Sequence, residues 1–191
     1  MAGYHRAGVK GRLVAGLLLC GLALAACGGP ASGAETAADA LNRGLQAQFA
    51  GKYDEANTAY FQVLAKEPGN TAAFFNLGLI AHLQKRMTAA ESYYRLALEQ
   101  DPNNIKALFN LAIVRAAVGQ NQDSAALYRK VIALEPNYAD AHFNLALVLR
   151  DLGQTADAQT EFATAQRLDP KLVAPSAPAT PARPASPSPT R

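Results

Sequence analysis

Apolar side chains fall at helical spacing along most of the chain, in stretches such as Phe74, Phe75, Leu77, Gly78 and then Tyr93, Tyr94, Leu96, Ala97, Leu98, and no alternating strand pattern competes with them. The pattern itself recurs. Pro68, Pro102, Pro136 and Pro170 stand 34 residues apart, and the same interval aligns four more columns. These are Asn42, Asn76, Asn110, Asn144; Gly44, Gly78, Ala112, Ala146; Ala56, Ala90, Ser124, Ala158; and Tyr60, Tyr94, Tyr128, Phe162. The spacing predicts an all-α array of four units, 37–70, 71–104, 105–138 and 139–172, each made of two helices.

Local chemistry marks the breaks between helices. Gly51, Gly119 and Gly153 sit in the middle of their units, where a left-handed residue can end the first helix without a Cβ clash, and Lys85 holds that column in the second unit. The second helix is predicted to stop at a recurring Glu/Asp-Pro pair, because proline lacks an N–H and disfavours helical geometry in the residue before it. Small residues in the glycine and alanine columns let paired helices approach, and the Tyr/Phe column fills the space beside them. Neither helix of a unit can bury its apolar face alone, so stability has to come from stacking. The end units are expected to be more polar: Arg43 takes the column of Leu77, Leu111 and Leu145, and Gln166 that of Leu64, Leu98 and Ile132.

With these columns the units resemble tetratricopeptide repeats, which implies a right-handed α-solenoid of four helix-turn-helix repeats. The resemblance assigns the concave face to the first helix of each unit, at its second, fifth, sixth, ninth and twelfth positions. The fifth position holds Leu41, Phe75, Phe109 and Phe143, and the ninth holds Leu45, Leu79, Ile113 and Leu147. Contiguous apolar surface of this kind marks a partner-binding patch, and packing of the aromatics between neighbouring helices is the structural alternative. The sixth position is asparagine without exception: Asn42, Asn76, Asn110 and Asn144. A row of amides can bind the backbone of an extended peptide, as in the asparagine ladder of the repeat domain of O-linked N-acetylglucosamine transferases, which this column resembles. Only the repeat pattern matches there, so the likeness supports peptide capture and not sugar transfer. The structural alternative is a column that hydrogen-bonds between helices. A clamp for terminal carboxylates is disfavoured, because Lys106 and Arg150 are offset by Asp140 and Asp151.

Residues 1–26 combine Arg6, Lys10 and Arg12 with an apolar run from Leu13 to Ala26, shorter than the roughly 20 residues of a spanning helix, and read as a signal peptide. The run ends in Leu24-Ala25-Ala26-Cys27, which resembles the lipobox of bacterial lipoproteins and implies lipidation of Cys27 after cleavage. An ordinary secretory signal cut elsewhere and an uncleaved anchor are the alternatives. Residues 27–36 form the lipidated cysteine and a short linker rich in small residues. Residues 173–191 are rich in proline and poor in large apolar side chains, a composition that predicts a disordered tail; a spacer or a polyproline-type ligand are the alternatives.

The formal charge of +3 changes meaning once the leader is set aside. Loss of residues 1–26 removes three basic side chains and no carboxylate, which brings the 18 Lys and Arg level with the 15 Asp and Glu. A neutral chain has no basic stripe for phosphates, so no nucleic-acid partner is expected. His82 and His142 lie in different columns of non-adjacent units and share no metal-ligand spacing. No His-Glu-x-x-His, Gly-rich phosphate loop or Gly-x-Ser-x-Gly is present, so neither an enzyme, a metal site nor a small-molecule cofactor is expected. Glu67, Asp101, Glu135 and Asp169 recur a whole unit apart and read as helix ends. The expectation is a membrane-anchored interaction scaffold of the bacterial cell envelope, facing the periplasm or the cell exterior, that binds a protein or peptide partner. The alternative is an accessory, substrate-presenting subunit or soluble-ligand receptor for an envelope enzyme encoded elsewhere.

Overall fold

The structure, a computed structural model, describes residues 35–175. The signal peptide, Cys27 and residues 176–191 of the tail lie outside the described residues. Those described form eight helices and no strand: α1 (Ala37–Phe49), α2 (Tyr53–Lys66), α3 (Thr71–Leu83), α4 (Met87–Gln100), α5 (Ile105–Ala117), α6 (Asn121–Leu134), α7 (Ala139–Asp151) and α8 (Thr155–Leu168). The odd-numbered helices start 34 residues apart and so do the even-numbered ones, at the phase set by the prolines. No helix among them is long and apolar enough to cross a membrane.

The turn inside each repeat has one geometry. Gly51, Gly119 and Gly153 have φ of 72°, 78° and 77°, and Lys85 adopts the same left-handed conformation at 61°, the one non-glycine to do so among the described residues. Each turn closes with a Schellman pair of bonds, such as Lys52 N–H to the Ala47 carbonyl at 2.9 Å and Gly51 N–H to the Gln48 carbonyl at 3.0 Å. Even-numbered helices end one residue before the Glu/Asp-Pro pair, whose carboxylate residue is the C-cap. That carboxylate also stabilises the next start. Asn70 and Asn104 cap α3 and α5 by accepting from Ala73 and Ala107 N–H, and their amides donate back to Glu67 (2.7 Å) and Asp101 (3.3 Å).

Packing follows the columns. An added Cβ on Gly44 would come within 2.5 Å of the Tyr60 ring, and one on Gly78 within 2.7 Å of the Tyr94 ring, so the small column is where the paired helices touch. Tyr60, Tyr94 and Tyr128 are buried against it, with the alanine column beside them. Ser124 stands in that alanine column and stays satisfied by donating to the Ala112 carbonyl at 2.8 Å. Each even helix packs on its own partner and on the next odd helix, while odd helices also touch one another across repeats (α3 with α5, α5 with α7). The odd helices therefore line the inner side of a solenoid.

The first and last units are closed by polar groups, as their substituted columns predict. Arg43 pairs with Glu35 at 2.9 Å and bonds Gln62, and Gln166 is exposed where its apolar counterparts are half-buried. Thr36 and Asp39 form a capping box on α1, and the bonds from Thr36 hold the Asp39 carboxyl below the usual carboxylate range.

Candidate functional site

The four odd helices place the asparagine column on one face, and the local helix geometry decides what the amides do. Asn76, Asn110 and Asn144 each donate a side-chain N–H to the carbonyl four residues earlier, on Ala72 (2.9 Å), Lys106 (2.9 Å) and Asp140 (2.7 Å). The column thus bonds within its own helices and forms no bridge between helices among the described residues. This bond fixes the side-chain rotamer and leaves each amide oxygen and one N–H without a partner among the described residues. Asn76 is nearly buried, Asn110 and Asn144 are half-buried, and Asn42, in the outermost helix, is exposed and makes no such bond.

The aromatic column serves packing and surface together. Phe75, Phe109 and Phe143 are half-buried, each against the Tyr/Phe column of its own repeat: Phe75 on Tyr94 (centroids 5.9 Å), Phe109 on Tyr128 (5.6 Å, edge to face) and Phe143 on Phe162 (5.4 Å, edge to face). Phe109 is also stacked on Tyr138 at 5.0 Å. Leu41, Leu45, Leu79, Ile113 and Leu147 are half-buried as well. The two readings of the aromatic column, surface patch and interhelical packing, therefore meet in the same rings. Half of each ring is spent on holding the paired helices, and what remains is a row of ring and aliphatic edges beside the asparagines.

The twelfth position differs in every repeat, and that changes the buried hydroxyls behind it. Gln48 accepts from the Tyr60 hydroxyl at 2.7 Å, whereas His82 holds that column in the second repeat, where the Tyr94 hydroxyl is buried and has no partner among the described residues. Burial pushes the Tyr60 hydroxyl up to about 12, and raises Tyr94 and Tyr128 further. Burial, with the positive charge of Lys85, lowers His82 below the ordinary histidine value. Arg150 lies 3.8 Å from Asp151, and Lys106 is exposed on α5.

Three features had weaker sequence signals. His142 is buried and bridges the Glu161 carboxylate (2.6 Å) and the Pro136 carbonyl (2.9 Å), tying α7 to α8 and to the turn before α7. It does so at the one inner junction where Tyr138 replaces the capping asparagine, so the histidine takes over the task of holding the turn. Arg115 reaches Glu91 at 2.6 Å and Asp123 at 3.3 Å, joining α5 to α4 and α6. Neither contact follows from a motif. The capping asparagines could have been found, since Asn70 and Asn104 precede their helices at the repeat interval.

Two tetratricopeptide-repeat families match the sequence, one over residues 34–105 and the other over residues 93–125 and 127–160. The fold is similar to the crystal structure of MamA, at 18% identity over 72% of this chain and 80% of that one, with a TM-score of 0.67. It is likewise similar to YrrB, described as a TPR protein with an unusual peptide-binding site, at 19% identity over 71% of this chain and 70% of that one, with a TM-score of 0.66. No curated protein matches the sequence.

Proposed function

From the premise that the chain belongs to the tetratricopeptide-repeat family and is an interaction scaffold, we propose that its concave face binds an extended peptide and that Cys27 anchors it in a bacterial envelope membrane. The observation that carries the peptide reading is the row of Asn76, Asn110 and Asn144. Their amides are each fixed by one internal bond, with an acceptor and a donor left over, at the fixed repeat interval. An extended backbone presents alternating N–H and C=O groups, which such amides can pair regardless of its side chains. The edges of Phe75, Phe109 and Phe143, with Leu79, Ile113 and Leu147, supply apolar contact beside them. A peptide-binding site in YrrB, which shares this fold, is consistent with that use.

The anchor rests on the sequence Leu24-Ala25-Ala26-Cys27, and acyl chains at about 0.8 kcal/mol per buried CH₂ hold a protein stably when more than one is present. Cys27→Ala should accumulate unprocessed protein; equal processing and membrane fractionation would end the anchor reading. For the groove, the partner is recovered by crosslinking in membranes and its binding measured with purified protein. Changing Asn110 and Asn144 to alanine should weaken it by about 1–3 kcal/mol, with helical content by circular dichroism unchanged. Unchanged affinity with a lower melting midpoint would assign the column to the scaffold.

A further inference from the structure

The three junctions between repeats use the same pair of columns, one on an even helix and one on the next odd helix, and fill them in three ways. Between the second and third repeats the pair is Glu91 and Arg115, bonded at 2.6 Å. Between the third and fourth it is Ala125 and Leu149, both buried. Between the first and second it is Asn57 and Ala81, and the missing side-chain volume appears as a cavity of about 120 Å³. Leu77, Ile80 and Ala81 form its buried floor, Tyr93 stands in its wall, and Phe61, Asn57 and Arg86 stand at its mouth.

The mouth is unusual for a packing defect. Phe61 is 51% exposed, whereas the same column holds Arg95 and Arg129 in the next two repeats. Arg86 forms no ion pair among the described residues, and its one hydrogen bond there, to Gln84, is long at 3.4 Å. A helix advances about 100° per residue, so Leu77 and Ala81 face away from Phe75 and Leu79 on α3. Leu77 and Ala81 lie about 100–140° round α3 from Asn76 and Ile80 lies one turn along from it, while the mouth residues Asn57 and Phe61 stand on α2, so the slot opens beside the even helices. It is smaller than the apolar cavities of about 150 Å³ that accept a benzene-sized guest and, unlike them, is open to solvent on one side.

We propose that this slot, between α2, α3 and the start of α4, is a second binding site for one leucine-sized side chain of a partner protein whose adjacent carboxylate pairs with Arg86. The apolar floor selects a branched or unbranched aliphatic group, and the unpaired guanidinium selects the anion next to it. This goes beyond the groove reading and stands or falls without it.

The smallest probe with both features is N-acetyl-L-leucine, titrated into the isotope-labelled full chain while the Ala81 methyl and Phe61 ring signals are followed. Saturable shifts at both are expected, with at least about tenfold weaker binding for N-acetyl-L-alanine and for N-acetyl-L-leucinamide, a factor typical of one lost contact. Ala81→Leu should abolish the Phe61 shift, the signal common to both proteins, and raise the melting midpoint, since it fills the slot as Leu149 fills its own. Arg86→Gln should remove the preference for the acid over the amide. Changing Asn110 and Asn144 to alanine should leave the titration as it is. The proposal is overturned by absent or non-saturating shifts, by equal binding to the Ala81→Leu variant, by a lowered midpoint in that variant, or by loss of binding in the asparagine variant.

Discussion

The junction between the first two repeats and the junction between the last two use the same pair of columns, yet one has an open slot at Ala81 and the other is closed by Leu149. The difference teaches that the 34-residue pattern fixes where helices meet and leaves free how each meeting is filled. A repeat array adds nearest-neighbour interface energies, so each junction can be varied without moving the others. Here the variation runs from an apolar closure through a charged one to an open cavity.

The largest expected effect falls on what the first three repeats share. Tyr60, Tyr94 and Tyr128 hold their protons more tightly when folded than the ordinary value of 10, because burial penalises the tyrosinate. A folded value above the unfolded one means stability is intact below pH 10 and is lost as pH rises through and beyond it. Alkaline titration should therefore unfold the array cooperatively, with the last three of the seven tyrosinates appearing together with the loss of helix signal. Tyrosinate absorbance exceeding that of the other four tyrosines before the helix signal falls would show these three rings to be reachable without unfolding.

Breaking the closed junction comes next. Leu149→Ala should cost about 2–5 kcal/mol in urea unfolding, because Leu149 is buried and alanine would leave the kind of void that Ala81 already leaves. A cost below about 1 kcal/mol would mean that the fourth repeat settles into the space, and that junctions are softer than the columns imply. At the charged junction, Glu91→Ala should cost only about 1 kcal/mol, since Arg115 retains Asp123 and Gln120 and the pair is partly solvated. The smallest effect is a gain. Lys85→Gly should stabilise by about 0.5–1 kcal/mol in the same assay, because a side chain at φ 61° is strained where the other three turns use glycine. A loss there would show that Lys85 makes a compensating contact.

Much of this architecture could be read directly from residues. Helix starts, turns and stops follow from the periodic apolar positions, from Gly51, Gly119 and Gly153, and from the four prolines, because backbone preferences of this kind act within a few residues. The columns Gly44 and Gly78 against Tyr60 and Tyr94 were legible for the same reason: repetition marks a contact that every unit must make. The position of Asn76, Asn110 and Asn144 on one face was also legible.

What those asparagines bond to was decided by the folded helix, which offers each amide a carbonyl four residues back before any neighbour can compete. The division of Phe109 between Tyr128 and Tyr138, the bridging role of His142 and the bond from Arg115 to Glu91 likewise needed three dimensions. Each joins side chains on different helices whose approach distance no local preference encodes. The slot beside Ala81 is the clearest case. An alanine in a sequence is only a small residue, and it borders a cavity here because the folded chain sets it beside Leu77, Ile80 and Tyr93 with no side chain filling the space between them.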